Sequence, residues 1–313
     1  MTSEPRVTIA MPVYNGSNFI ADAIRSILAQ TFTDFELIVT DNASTDRTRE
    51  IVEGFAEQDD RVRYVRNEKN IGAAANYNLG FELARGEYFK WQAHDDELSP
   101  DYLENCVKAL DEDPSVSLVH TVTKGINGEG KVSPLVGAET PSILFDDPVK
   151  RFEGLLNYVG DCFSIFGVYR SKYLKISTLH RPYYGSDRGL LAEMAILGKY
   201  RRLEEGAFYN REHDTRSTKL GSNMDRARWQ NGNNRRIGAA EQINLTKHLF
   251  ELAKIHADKA PAGRLRLSVL AFASKPGRLG KYAVELFDLT APGAANRVRS
   301  MKRSLSGRRQ AQN

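Results

Sequence analysis

Over its first 110 residues the chain alternates short strand-like runs with helix-like stretches, and this alternation limits the fold more than any other feature. Val7-Thr-Ile-Ala-Met11 reads as a buried strand closed by Pro12, and Phe19, Ile20, Ala23, Ile24, Ile27 and Leu28 then recur at helical spacing. Phe35-Glu-Leu-Ile-Val-Thr40 is a second strand. Ser44 and Thr45 offer caps to a helix whose face continues through Ile51, Val52 and Phe55. Val62-Arg-Tyr-Val65 is a short third strand. Residues 72–84 predict a helix with Gly86 as its C′ glycine, and residues 87–92 a fourth strand. Ser99-Pro100 supplies an N-cap with proline at the first helical position, ahead of the stripe Leu103, Val107 and Leu110. This β-α-β-α-β-α-β order predicts an α/β fold: a Rossmann-like, open, mostly parallel sheet with helices on both faces.

Beyond residue 115 the pattern loosens. Residues 116–122, 163–169 and 203–209 read as strands, 192–197 as a short helix, and a Pro/Gly-rich loop joins the first two strands. From Arg226 onward the chain reads as helices with an apolar stripe of Leu245, Leu249, Leu252 and Ile255, forming a helical C-terminal appendage. The expected division is a main domain over 1–218, a helical acceptor-side or membrane-associating extension over 219–292, and a basic, disordered tail over 293–313. Residues 262–313 hold eleven Lys/Arg against Glu285 and Asp288, so the net +4 of the chain divides into +9 there and −5 before it. Such an end suits anionic headgroups, or is simply solvated; no nucleic acid is expected. Cys106 and Cys162 have no metal-ligand spacing, the N-terminus has no basic-then-apolar leader, and no run approaches a membrane span. A cytoplasmic protein is expected, peripheral at most on the inner membrane face.

In the predicted fold, three polar sets gather at the carboxyl ends of the strands: residues 12–15, Asp41-Asn42, and His94-Asp95-Asp96. Open α/β sheets bind ligands at that rim. The adjacent carboxylates of Asp95 and Asp96 either cap the following helix or supply hard oxygen ligands for Mg²⁺ or Mn²⁺. Asp41 either makes a turn or accepts a hydrogen bond from a base or ribose, and Tyr14 can stack on a base. Neither a Gly-x-Gly-x-x-Gly fingerprint nor a P-loop lysine nor a Gly-x-Ser-x-Gly elbow occurs.

The blocks Met11-Pro-Val-Tyr-Asn15, Phe35 through Asp46, Asn67 through Gly72, Ala84 through Tyr88 and His94 through Pro100 together closely resemble the family 2 glycosyltransferases of GT-A fold, over roughly residues 5 to 217. The resemblance implies a nucleotide-sugar donor, UDP-linked in most of the family, and inversion at the anomeric carbon. It implies that Pro12, Tyr14 and Asn15 line the nucleoside pocket and that Asp41 contacts the base beside Asn42. Asn70 and Gly72 would border the nucleotide, and His94 would contact ribose or donor sugar. Asp95 matches the last aspartate of the family's Asp-x-Asp motif and would hold Mn²⁺ or Mg²⁺, supported by Asp96. The first aspartate of that motif is replaced by Ala93, which puts strict metal dependence in question.

Asp187 occupies the family's catalytic-base position, in Pro182-Tyr-Tyr-Gly-Ser-Asp187; the competing reading is a helix N-cap, and Glu193 is the alternative base. His213 would help hold the metal or diphosphate, and Arg211 or Arg216 would neutralise phosphate charge. The implied acceptor is a hydroxyl of a saccharide or lipid-linked molecule, in envelope polysaccharide or glycolipid synthesis. Three rival readings stand beside this one: a sugar-phosphate nucleotidyltransferase, a degenerate nucleotide-sugar-binding protein, and a membrane or nucleic-acid module that works through its basic tail.

Overall fold

The computed structural model describes residues 4–135, 137–158, 160–214, 216, 219–220, 222–232 and 240–290. The N-terminal half follows the alternation read from the sequence: β1 (Val7–Val13), α1 (Ile20–Leu28), β2 (Phe35–Asp41), α2 (Thr48–Ala56), β3 (Val62–Arg66), α3 (Ala73–Glu82) and β4 (Tyr88–Trp91). β1 and β2 are buried at every position, which explains their unbroken apolar runs. α1 buries Ile20, Ala23, Ile24 and Ile27, one face of a 3.6-residue period. Pro12 does not close its strand but sits inside it, opposite Thr40. Ala10 O accepts from Gln92 N–H and Val13 O from Asn42 N–H, so the chain's alternation turns the Pro12 nitrogen towards β4. β4 pairs with β1 as far as Ala10, so the missing N–H of Pro12 falls where that ladder ends.

The second half contains β5 (Glu97–Leu98), α4 (Tyr102–Glu112), β6 (Val116–Ile126), β7 (Val132–Ser133), α5 (Pro148–Asn157), β8 (Val168–Arg170), α6 (Ser171–Leu174), α7 (Ser186–Leu197) and β9 (Lys199–Arg211). The helices α8 (Asn223–Asn231), α9 (Glu241–Ile255), α10 (Ala262–Ala273) and α11 (Pro276–Thr290) follow. One sheet runs β3-β2-β1-β4-β8-β6-β9-β5, with β7 on β6. β1 to β4 are mutually parallel, whereas β8 lies antiparallel to both β4 and β6, and β5 antiparallel to β9. The sheet is therefore parallel in its first half and mixed in its second.

Several local expectations change. Phe163–Phe166 is a 3-10 turn ahead of β8, not a strand. α7 begins at Ser186, several residues before the segment read as helical, and β6 and β9 are longer than the runs that signalled them. Ser99 does not cap α4: its hydroxyl donates to Asp101 Oδ1 (2.6 Å) and accepts from Ala207 N–H (2.8 Å), and the helix starts two residues later than its proline suggests. Ser44 and Thr45 do not cap α2; Asp46 Oδ1 accepts from Thr48 N–H (3.0 Å).

Two cores flank the sheet. On one face α1 and α4 pack with Ile9, Met11, Leu37 and Tyr88. On the other, Phe89, Trp91 and Leu118 meet α5, α7, α9 and α10 in one continuous cluster. Leu245, Leu249, Leu252, Leu265 and Val269 belong to that cluster, so α9 and α10 share the core of the main body. Ile255, placed in the same stripe by sequence, is exposed. No helix among the described residues is long and apolar enough to cross a membrane. The basic stretch from residue 293, expected to be a disordered tail, lies outside the described residues.

Gly86 is not the C′ residue of α3, whose cap is Leu83. It marks instead a close crossing over β1: a Cβ there would stand 2.5 Å from Thr8 N and 2.7 Å from Tyr88 O, both backbone atoms. Gly86→Ala should destabilise the fold by about 1–3 kcal/mol, the range for forced overpacking, read as a lower midpoint in urea denaturation.

Candidate active site

The carboxyl ends of β1, β2 and β4 carry the loops that the sequence brought into question. Asn15 stands at the end of β1 in a left-handed conformation (φ 53°), which Asn tolerates better than most residues. Its N–H donates to Ser44 Oγ (2.8 Å) and its Oδ1 accepts from Thr45 N–H (2.8 Å), locking the β1 loop to the β2 loop. Tyr14 projects beside it and is 47% exposed. Asn42 donates to Asn70 Oδ1 (3.0 Å) and accepts from Ile71 N–H (2.9 Å). Asn70 also accepts from Gly72 N–H (2.9 Å). Gly72 has φ 86°, and a Cβ there would meet Gly232 N at 2.5 Å, so α8 ends directly against this loop. Pro12, Asn15, Asn42, Asn70 and Gly72 thus form one connected rim with Tyr14.

Asp41 departs from the simplest expectation. It is fully buried, with Oδ1 accepting from Ser44 N–H (2.8 Å) and Oδ2 from Tyr64 OH (2.5 Å) and Arg66 Nη1 (2.7 Å). It therefore makes the turn and faces Tyr64 and Arg66 at the same time. Burial, followed by the hydrogen bond to Asp41, raises the Tyr64 phenol to about 12.

The His94-Asp95-Asp96 loop is fastened between β4 and β9, because β5, which follows it at once, pairs with β9. The structure brings Asp95 to His213, 118 residues away: His213 Nε2 lies 2.8 Å from Asp95 Oδ2. Burial works to raise the Asp95 carboxyl, but the neighbouring His94 and the hydrogen bond to His213 outweigh it and hold the group below the ordinary range, at about 2. Asp96 turns away from this pair. Its Oδ1 accepts from Arg211 N–H (2.8 Å) and Asn210 Nδ2 (3.2 Å), and burial together with the Asp95 charge pushes its carboxyl well up. Asp96 neither caps α4 nor presents its carboxylate beside that of Asp95; it ties the loop to β9. His94 packs on Gly16, where a Cβ would stand 2.5 Å from the imidazole Cδ2.

Arg211, considered for phosphate binding, is spent inside the fold. Its guanidinium donates to Asp95 O (2.9 Å), Asn127 O (3.1 Å) and Gly128 O (3.2 Å), pairs with Glu97, and lies over the Phe19 ring. Arg216 is part-buried, pairs with Glu212 and donates to Asn210 Oδ1 (3.1 Å), which places it behind Asp96. Thr215 and Ser217, beside it in the sequence segment, lie outside the described residues.

Asp187 stands in the first turn of α7 but is not its N-cap; that position is Gly185, in a left-handed conformation (φ 84°). Asp187 Oδ1 accepts from Arg188 N–H (2.9 Å), and burial pushes the carboxyl above its ordinary range. Glu193, the alternative base, is excluded by position. It is fully buried, accepts from Thr178 N–H (2.8 Å) and Thr178 Oγ1 (2.7 Å), and lies 2.7 Å from His256 Nε2. The same network reaches the loop before Asp187: Thr178 Oγ1 lies 2.7 Å from His248 Nε2, and His248 Nδ1 lies 2.9 Å from Tyr183 OH. A Cβ on Gly189 would come within 2.5 Å of that imidazole, so α9 packs tightly under the start of α7.

Sequence reading missed Tyr77, on α3. Burial raises its phenol first, followed by the charges of Asp95, Asp96 and Asp187, so one hydroxyl lies within electrostatic reach of both carboxylate sets. Tyr77 also packs edge-on against His180 (5.0 Å between ring centres), and Trp91 Nε1 donates to its carbonyl (2.9 Å). Nothing in Ala73-Ala-Ala-Asn-Tyr-Asn78 distinguishes that tyrosine by pattern. A recess of about 300 Å³ beside α6, lined by Phe81, Ala84, Leu174 and Leu179 among others, shares no residue with this rim.

This sheet, parallel in its first half and mixed in its second, is that of the GT-A glycosyltransferases. A family model described as glycosyl transferase family 2 matches residues 8–175, more than half of the chain, and the chain belongs to that family. It is 36% identical over 128 residues to the chondroitin synthase of Escherichia coli, covering 41% of this chain and 18% of that protein. It is 38% identical over 109 residues to an uncharacterised glycosyltransferase of Rickettsia typhi, covering 35% and 33%. The chain thus spans a third or less of these curated relatives. Among solved structures, S. aureus TarS in complex with UDP-GlcNAc superposes with a TM-score of 0.57 at 19% identity, over 90% of this chain and 80% of that one. Mannosyltransferase PcManGT of Pyrobaculum calidifontis, in complex with GDP-Man and Mn²⁺, gives 0.53 at 18%, over 94% and 88%.

Arg211→Met should cost about 3–5 kcal/mol, because it strips a buried ion pair of one partner and leaves three carbonyls without a donor. Chemical denaturation monitored by tryptophan fluorescence reads this loss.

Proposed function

We propose that this family 2 glycosyltransferase is an inverting enzyme that moves a sugar from a nucleoside diphosphate sugar, with uridine as the base, to a hydroxyl of a saccharide or lipid-linked acceptor. The observation that carries this reading is the Asp95–His213 pair, 2.8 Å apart at the carboxyl end of the parallel strands. The charges of Asp95, Asp96 and Asp187 all act on the Tyr77 phenol, which supports placing a diphosphate-facing group and a part-buried carboxylate at one site. The donor complexes of TarS and PcManGT support a nucleotide-sugar at such a rim.

In this reading Tyr14 stacks on the base, Asp41 accepts its N–H in place of the Arg66 contact, and Asn15, Asn42, Asn70 and Gly72 frame the nucleoside. His94 borders the ribose or donor sugar. Asp95 and His213 fit a divalent ion: a hard carboxylate oxygen and an imidazole nitrogen already stand 2.8 Å apart. Among the described residues no group of three or more protein ligands gathers, so diphosphate oxygens and water would complete the shell of Mn²⁺ or Mg²⁺. An ion held there supplies charge neutralisation for the departing diphosphate. Asp96 and Arg216 act from behind, by fixing β9. Asp187 accepts the proton of the acceptor hydroxyl as that oxygen attacks the anomeric carbon and the bond to diphosphate breaks. Its raised pKa suits a base working nearer neutrality.

Asp187→Asn should leave donor affinity nearly unchanged while lowering kcat by about 10²–10⁴-fold, the usual worth of a positioned base. Calorimetric donor binding and nucleotide release, measured side by side, make this check; an unaltered kcat removes Asp187 from the chemistry. The base must be ionised, so kcat falls as pH drops through its pKa. That acidic limb should lie above the ~4 of an ordinary carboxyl and disappear in Asp187→Asn. Asp95→Ala should abolish the extra thermal stabilisation that UDP gains from Mn²⁺. Equal shifts in wild type and variant would show that Ala93 marks a site without metal.

A further inference from the structure

α11 carries its polarity the wrong way round for a helix on a protein surface. Its one buried residue is Glu285. That carboxylate accepts from Gln242 N–H (2.8 Å) and Ile243 N–H (3.1 Å), in the first turn of α9, where backbone donors have no partner within their own helix. Tyr282 OH lies 2.6 Å from Thr246 Oγ1, and Arg278 Nη1 donates to Gln242 Oε1 (2.8 Å). The helix thus docks through a polar face of residues 278, 282 and 285. Leu279, Leu286 and Phe287, at i, i+7 and i+8, share a neighbouring face and stand 54%, 53% and 43% exposed. α10 carries two further exposed leucines, Leu267 (66%) and Leu270 (54%).

What could cover this surface is limited by charge. Arg266 and Lys281 are exposed on the same two helices and Lys275 in the turn between them, Glu285 is withdrawn into the fold, and the sequence after residue 290 adds six Lys/Arg and no acid. A second copy of the chain would set two such cationic ends against each other. Nucleic acid would use the cations and leave the leucines in water. An anionic bilayer uses both, taking apolar side chains into its interfacial layer and basic ones among its headgroups at about 1 kcal/mol each.

We propose that α10 and α11 lie on the surface of an anionic membrane, with Leu267, Leu270, Leu279, Leu286 and Phe287 inserted to interfacial depth. The inference is independent of the catalytic reading. α9 links the two regions, since it holds α11 by its first turn and packs under α7 through His248. An acceptor carried in the same bilayer would then meet a docked enzyme.

The full chain should float with phosphatidylcholine vesicles containing phosphatidylglycerol and not with phosphatidylcholine alone, and added salt should weaken the binding. Leu279→Glu with Leu286→Glu should lower the bound fraction about tenfold or more, by removing buried apolar area and adding repulsion. Arg266→Glu with Lys281→Glu should weaken it too. Both pairs alter exposed side chains, and an unchanged UDP-induced thermal shift would verify that the fold is intact. Absence of flotation with anionic vesicles overturns the proposal, as does equal flotation of the leucine variant. A concentration-dependent dimer in light scattering that the leucine variant abolishes would also overturn it, by assigning the face to a second copy.

Discussion

The rim depends on one buried cation, Arg211. Taking a guanidinium out of water is costly, and only a full set of acceptors offsets it. Here three carbonyls and Glu97 supply that set, and one carbonyl belongs to Asp95 itself. The adjoining backbone N–H of Arg211 and the side chain of Asn210 then hold Asp96. The result is a clamp between the end of β9 and the loop after β4. It fixes the backbone of Asp95 and places His213 beside the Asp95 carboxylate.

The two halves of the chain contribute opposite kinds of carboxylate. Asp95 is kept ionised by the imidazoles of His94 and His213. Asp187 is made more basic by burial, even though it stands in the first turn of a helix, where the backbone favours negative charge. The loop before α7 is tied to α9 by the contact of Tyr183 OH with His248 Nδ1. The charges of both carboxylate sets act on the Tyr77 phenol.

The strand-helix order of the N-terminal half was plain in the sequence because each element there is local. An unbroken apolar run can only be a buried strand in that context, and the i, i+3, i+4 and i+7 spacing of α1 points to a single face. The loops at the rim were legible for the same reason: they follow directly from strand ends. The turn at 163–166 and the late start of α4 were not, because Ser99 serves the backbone of β9 instead of its own helix. Asp96 and Arg211 looked like site residues because charged side chains beside a motif are hard to tell from ligands until their partners are known.

By itself, the sequence determined the parallel first half, the loops that follow its strand ends and the charge imbalance of its ends, all of which follow from periodicity, residue type and order. Only the tertiary structure decided that Asp95 meets His213, that Asp41 is buried against Tyr64 and Arg66, that Glu193 is lost to the core, and that the charges of Asp95, Asp96 and Asp187 all act on Tyr77. Those outcomes depend on contacts between residues tens to more than a hundred positions apart. Such contacts are set by how the mixed second half of the sheet closes on the first, and no local pattern records that closure.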